Sequence, residues 1–195
     1  MLSCLLLLTA CHSATSSLEE TETCVGYPDA QTSAYLLPYE TGASYRVFQG
    51  NCAPPKAPWT HYAKARYAYD VEMPIGAKIV AARAGTVVFI REQFTDRQHA
   101  QEQGNALVVL HDDNTVALYG HLTQNGALAE LGQRVEQGET IALSGNSGQS
   151  GNVPHLHFQV NACPDFDACE SVPVTFRNAR PNPGRLIQGE RYTAE

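Results

Sequence analysis

The chain has 195 residues, 43% hydrophobic and 17% charged, enough for one domain or at most two around a buried core, which excludes disorder as its overall state. Thirteen Lys and Arg against 20 Asp and Glu give a net charge of −7, the wrong sign for a surface that neutralises phosphates, so nucleic acid is excluded as a partner and anionic membrane surfaces are poor ones. The apolar run Leu5 to Leu8 within Met1 to Cys11 is too short to cross a hydrocarbon core that takes about 20 residues.

The first residues, Leu5-Leu6-Leu7-Leu8-Thr9-Ala10-Cys11, form an apolar stretch that ends in small residues directly before a cysteine. That is the chemistry of an export signal. It resembles the lipobox of bacterial lipoproteins, in which the signal, here residues 1–10, is removed and the following cysteine, here Cys11, carries the lipid. Met1 to Ser3 supplies no Lys or Arg, a departure from the usual signal start. His12 to Thr23 is rich in Ser, Thr and Glu with one large apolar residue. Residues 11–23 therefore read as a solvated tether with an r.m.s. reach of roughly 20 Å. The expected location is the periplasm, with the outer membrane touched only through a lipid anchor at Cys11.

Setting aside the signal and Cys11 leaves Cys24, Cys52, Cys163 and Cys169, an even number that should pair in an oxidising compartment. Cys163 and Cys169 are near enough in sequence to close a small loop, which leaves Cys24 with Cys52, although four cysteines allow three connectivities. No C-x2-C spacing occurs, which argues against a zinc site built from thiolates.

From Tyr35 onward short apolar runs are broken by Gly, Pro, Asn and Asp without a sustained helical period, the pattern of a mainly β chain. The spacing predicts strands over Lys78 to Ala82, Thr86 to Arg91, Ala106 to His111, Thr115 to Tyr119, Thr140 to Ser144 and His155 to Val160. Turn residues separate them at Arg83-Ala84-Gly85, Asp112-Asp113-Asn114 and Gly145 to Asn152. Ala127 to Leu131 is expected to form a helical turn at most.

The most informative segment is His155-Leu156-His157-Phe158-Gln159-Val160. In a strand, alternate side chains share a face, so His155, His157 and Gln159 point one way and Leu156, Phe158 and Val160 point into the core. Two imidazoles on one rigid wall suit a metal. Further histidines stand at His121, ending a strand, and at His61, ahead of Asp70. His111 reads as a hairpin shoulder, His99 and His12 as solvated, Tyr119 as half-core, and Trp59 as packed or at a cleft edge.

Taken together, the ordered segments HYAKARYAYD, MPIGAKIVAARAGTVV, GNALVVLHDDNTVALYGHL and GETIALSGNSGQSGNVPHLHF resemble the LytM/lysostaphin-type peptidoglycan metalloendopeptidases. The likeness covers about residues 35–180 and implies one domain over residues 24–195. It implies a mainly β, antiparallel fold of the duplicated hybrid-motif type with the metal in a groove. It further implies that His61, Asp70 and His157 bind one Zn²⁺ per chain, leaving a fourth position for water as catalytic zinc sites do. His121 and His155 would be the non-ligand pair that takes the proton from that water and hydrogen-bonds the oxyanion. Many members place His four residues before the Asp, where this chain has Arg66, which cannot deprotonate to bind metal. His61 lies farther back, a spacing seen in one branch of the family. Gln159 stands where relatives often have Glu, and Val153-Pro154 where they often have Gly-Pro.

The expected function is hydrolysis of amide bonds in peptidoglycan peptides. A different class, a wall-binding regulator without catalysis, fits members that have lost ligands, but all five positions here carry competent side chains. A lipoyl- or biotinyl-type carrier shares the Gly85-Thr86-Val87 and Gly138-Glu139-Thr140-Ile141 patterns but needs a lysine at a hairpin tip, and no Lys follows Lys78.

Overall fold

The computed structural model describes residues 25–51, 61, 63–165 and 168–195. Residues 1–24, with Cys11, His12 and Cys24, and residues 52–60, with Cys52 and Trp59, lie outside the described residues.

Among the described residues twelve strands run in chain order: β1 (Ser44–Gln49), β2 (Tyr69–Glu72), β3 (Lys78–Val80), β4 (Gly85–Arg91), β5 (Ala106–Leu110), β6 (Val116–Gly120), β7 (Leu122–Ala127), β8 (Arg134–Val135), β9 (Thr140–Ser144), β10 (His155–Asn161), β11 (Ala179–Arg180) and β12 (Arg191–Ala194). Nine form one sheet in the order β11-β12-β1-β2-β10-β6-β5-β4-β8, and β3-β9-β7 form a second. Every pairing is antiparallel. The helical pieces among the described residues are three short 3₁₀ turns, and no helix among them is long and apolar enough to cross a membrane. The mainly β, antiparallel expectation is met.

The alternation read from the sequence explains the core. Leu156, Phe158 and Val160 of β10 are completely buried and meet Leu107 and Val109 of β5, Ala117 and Tyr119 of β6, and Ile141 of β9 in one apolar cluster. Burying each Leu or Phe of this kind contributes about 1.5–3 kcal/mol. Asp112-Asp113-Asn114 turns β5 into β6, with Asn114 at φ 66° and Asp113 Oδ1 accepting from Thr115 N at 3.1 Å, a role short polar side chains fill readily. The expectation of a helical turn over Ala127 to Leu131 is corrected. That stretch leaves β7 extended, and the amides of Leu128 and Ala129 donate to Ile141 O at 2.9 and 3.1 Å. Pairing with β9 satisfies these amides better than a four-residue helix could.

Tyr119 is also not half-core: it is fully buried, and its hydroxyl accepts the Ala82 amide at 2.8 Å. His111 does sit at the β5–β6 hairpin, but buried, with Nδ1–H donating to Ala84 O at 2.9 Å and its ring edge-on to Tyr35. His99 is exposed, as expected. Cys163 and Cys169 form a disulfide with Cα atoms 5.9 Å apart.

Candidate metal centre

Strand register builds the site. In the β2–β10–β6 core of the large sheet, Asp70 lies directly opposite His157, and His157 directly opposite Gly120. An added Cβ on Gly120 would press on His157 Cβ at 3.3 Å, so glycine leaves the imidazole its room. His61 reaches the same point from the chain just before β2. Its Nε2 is 3.2 Å from Asp70 Oδ1, while His157 Nδ1 is 2.9 Å from that same oxygen. One donor atom from each of His61, Asp70 and His157 lies within 4.8 Å of the others, close enough for one ion to bridge. Arg66 does not join them; its guanidinium carbon lies 5.5 Å over the Tyr67 ring.

The outer hydrogen bonds decide which ring nitrogens face inward. His61 Nδ1–H donates to Gly50 O at 3.0 Å, leaving the lone pair on Nε2 in the neutral ring. On the other side a buried relay runs through three side chains. Asn161 Nδ2 donates to Cys169 O at 2.9 Å, Gln159 Nε2 donates to Asn161 Oδ1 at 2.6 Å, and His157 Nε2–H donates to Gln159 Oε1 at 2.9 Å. The relay orients the Gln159 amide and puts the His157 lone pair on Nδ1. Two lone pairs and a carboxylate oxygen then converge in a buried place. Like electron density repels unless a proton or a cation lies among it, and outer partners that fix imidazole tautomers are the usual support of a metal ligand. The donor set of two imidazoles and one carboxylate therefore fits a zinc ion and leaves a position open.

Charge follows the same logic. Burial opposes ionisation of Asp70, but with protons on the facing nitrogens of His157 and His61 their hydrogen bonds and positive charge outweigh it and hold the carboxyl well below its usual range. Burial pushes the His157 imidazole down, yet Asp70 reverses the sign and raises it.

His121 and His155 stand beside this triad, their rings 4.5 Å apart. Both are held by backbone carbonyls: His121 Nδ1–H donates to Ser147 O and His155 Nδ1–H to Val153 O, each at 2.7 Å. Their Nε2 lone pairs are bare, and His155 Nε2 lies 3.6 Å from Asp70 Oδ2. Burial, then His155 and His157, push His121 down to about 3; burial also lowers His155 against the pull of Asp70. Both rings are neutral near pH 7, able to accept a proton at Nε2.

Residues not singled out from sequence fix this pair. His121 takes a left-handed φ of 59° between β6 and β7, an uncommon backbone state for a non-glycine residue that its surroundings must hold. Leu122 O next to it accepts from Asn105 Nδ2 (3.1 Å) and Ser147 Oγ (2.6 Å). Asp96 brackets the same turn, accepting from Thr123 Oγ1 at 2.6 Å and from Asn146 N at 2.7 Å. Gly148, at φ 74°, lets the Gly-rich loop pass directly against Gly104. Asn105 and Asp96 carry no signal in the sequence beyond being polar residues near a predicted strand.

Comparison with known proteins agrees with the fold. The model of "Peptidase family M23" matches residues 64–169. Peptidoglycan DD-endopeptidase ShyA of Vibrio cholerae is 34% identical over 91 residues, 47% of this chain and 19% of that protein. The lipoprotein YgeR of Escherichia coli is 31% identical over 91 residues, 47% of this chain and 32% of that one. The chain thus matches about a fifth to a third of these relatives' length. Among solved structures, the catalytic domain of the M23 protein EnpA from Enterococcus faecalis superposes with a TM-score of 0.53 at 20% identity, over 70% of this chain and 93% of that one, a likeness of fold. With more than half of its residues matched by the family model, the chain belongs to Peptidase family M23.

Proposed function

We propose that this chain is a zinc-dependent endopeptidase that hydrolyses amide bonds in the peptide cross-links of peptidoglycan, with His61, Asp70 and His157 as ligands and His121 and His155 as the proton-handling pair. The observation that carries it is the convergence of two oriented imidazole lone pairs and the Asp70 carboxylate within 4.8 Å, next to two neutral imidazoles with bare Nε2 atoms. ShyA, a peptidoglycan DD-endopeptidase, supports the substrate class.

A zinc ion at this site supplies Lewis acidity toward the scissile carbonyl and acidifies a water. The chain's own part is to hold and move protons. The bare Nε2 of His121 or His155 accepts the proton of the attacking water as the new C–O bond forms. The charged ring can then donate to the carbonyl oxygen or return the proton to the amine nitrogen as the C–N bond breaks. The Ser147 and Val153 carbonyls keep each ring in the tautomer this needs and stabilise it while charged. The Asp96 and Asn105 brackets hold the His121 turn in place throughout.

The same reading extends to organisation: residues 1–10 as a signal, a lipid on Cys11, a tether over 11–23 and one catalytic domain over 24–195, exported and membrane-anchored, in line with the likeness to a lipoprotein. Cys24 and Cys52 are proposed as a second disulfide.

Zinc content of the wild type and of His157→Ala, measured beside release of peptides from isolated peptidoglycan, tests the proposal. About one zinc per chain, lost in the variant together with cleavage, is the expected result. Wild type that releases no peptide at any metal supplement would replace the enzyme with a wall-binding regulator.

A further inference from the structure

Away from the candidate site, the stretch from Ser171 to Gly189 contains no Asp or Glu but three arginines, Arg177, Arg180 and Arg185, in a chain of net charge −7. The fold gathers all three along one open groove of about 970 Å³ that Tyr27, Asp29 and Gln31 also line. Both walls lie outside residues 64–169, so this groove belongs to the parts of the chain that the family model does not describe.

The pairing of the three arginines is uneven. Arg180 Nε is 2.8 Å from Glu195 Oε2. Arg177 instead donates to Ser33 O at 2.9 Å and to Gln137 Oε1, and Arg185 interacts with the Tyr27 hydroxyl. Neither Arg177 nor Arg185 has a carboxylate in ion-pair contact among the described residues. Asp29 is the one acid lining the groove, and its Oδ1 already accepts the Gln31 amide at 2.9 Å. Two exposed guanidinium forks therefore face the groove with hydrogen-bonding capacity that a carboxylate matches in shape and charge.

The groove is joined to the candidate metal centre. Tyr27, on its wall, donates its hydroxyl proton to Asn51 Oδ1 at 2.8 Å, and the adjacent Gly50 carbonyl is the one that holds His61. In the sheet, β11 stands three strands from β2, about 14 Å at the usual strand spacing, a distance that four or five extended residues cover.

We propose that this groove is an anion subsite for the free carboxylates of peptidoglycan peptides, holding one arm of the polymer while another amide lies at the candidate metal centre. The identity of the polymer rests on the proposed function; the anion subsite itself rests on the arginines. A phospholipid surface is the weaker occupant, because it makes no use of the connection through Tyr27, Asn51 and Gly50 to the candidate metal centre.

The test is cosedimentation of the full chain with isolated peptidoglycan under a chelator, so that binding is read without turnover. Arg177→Gln with Arg185→Gln should weaken binding about fivefold to tenfold, as expected for losing two exposed charge pairs. Amidating the carboxylates of the polymer should weaken wild-type binding to the same degree and leave the double variant unaffected. Asp29→Asn should strengthen binding, and it keeps the test open if the double variant does not fold. Equal binding by wild type and the double variant, or indifference of wild type to amidation, overturns the subsite. Loss of binding to phosphatidylglycerol vesicles without loss on peptidoglycan also overturns it, in favour of a lipid phosphate. Failure of the enzymatic reading shows separately, as absence of cleavage by zinc-loaded wild type while these binding differences persist.

Discussion

The proposed ligand triad and the histidine pair are neighbours that both rely on imidazoles, yet His157 and the pair shift in opposite directions. His121, half-buried, and His155, buried, are held by backbone carbonyls, and desolvation drives both toward the neutral ring. His157 is half-buried and also desolvated, but strand register places Asp70 directly across from it, and the imidazole is raised instead. Burial sets the default sign for a histidine, and one carboxylate within 3 Å reverses it. Under the proposed function, one fold makes from histidines both a place that attracts a cation and a place that receives a proton.

Breaking the triad should have the largest effect. Asp70→Asn keeps the shape and removes the charge, so metal should be lost on dialysis and peptidoglycan cleavage should fall to background; zinc analysis beside a cleavage assay checks both. Retained zinc with full activity would mean that the carboxylate is not needed to gather the ion. His121→Ala and His155→Ala should each keep zinc while lowering kcat about 10²- to 10⁴-fold, the usual worth of a general acid or base. Zinc loss in either one would erase the distinction between ligand and proton carrier. Gln159→Leu sharpens the comparison more gently. It removes the acceptor that keeps the His157 lone pair on Nδ1, and metal affinity should weaken about 10- to 100-fold, measurable by competition with a chromophoric chelator.

His111 offers the smallest and most isolated case, because it is buried like the pair and far from any ligand in the sequence. Burial, against the Ala84 carbonyl bond, lowers its pKa below 6.5. A depressed folded-state value means that the unfolded chain binds more protons, so this stability is fully present above about pH 6.5 and is lost as pH falls through the folded value. His111→Asn, which can keep the bond to Ala84 O, should therefore flatten the decline of thermal stability below pH 6.5, read as Tm against pH. An unchanged slope would show that other groups carry the acid sensitivity.

Six strands could be read from alternation and turn residues, and β9 falls on the predicted residues, Thr140–Ser144. Strands β1, β2, β7, β8, β11 and β12 were not read from sequence. β8 and β11 have two residues each, and β7, with Thr123-Gln124-Asn125-Gly126 at its centre, has no apolar alternation to reveal it. Such segments become strands because a neighbour supplies hydrogen-bond partners, a tertiary condition invisible to local pattern.

The candidate site divides in the same way. The H-x-H spacing of His155 and His157 places both imidazoles on one face because strand side chains alternate, and the core of Leu156, Phe158 and Val160 enforces that choice. Residue types that bind metal or carry protons are likewise properties of the chain itself. Which of them meet was decided by the pairing of β2, β10 and β6, which sets His157 between Asp70 and Gly120, and by the loop that brings His61 rather than Arg66 to the carboxylate. Asn105, Asp96 and the arginine groove depend wholly on long-range packing. A hydrogen bond or a charge cluster needs atoms a few ångströms apart, and only the folded chain creates that proximity between residues tens of positions apart.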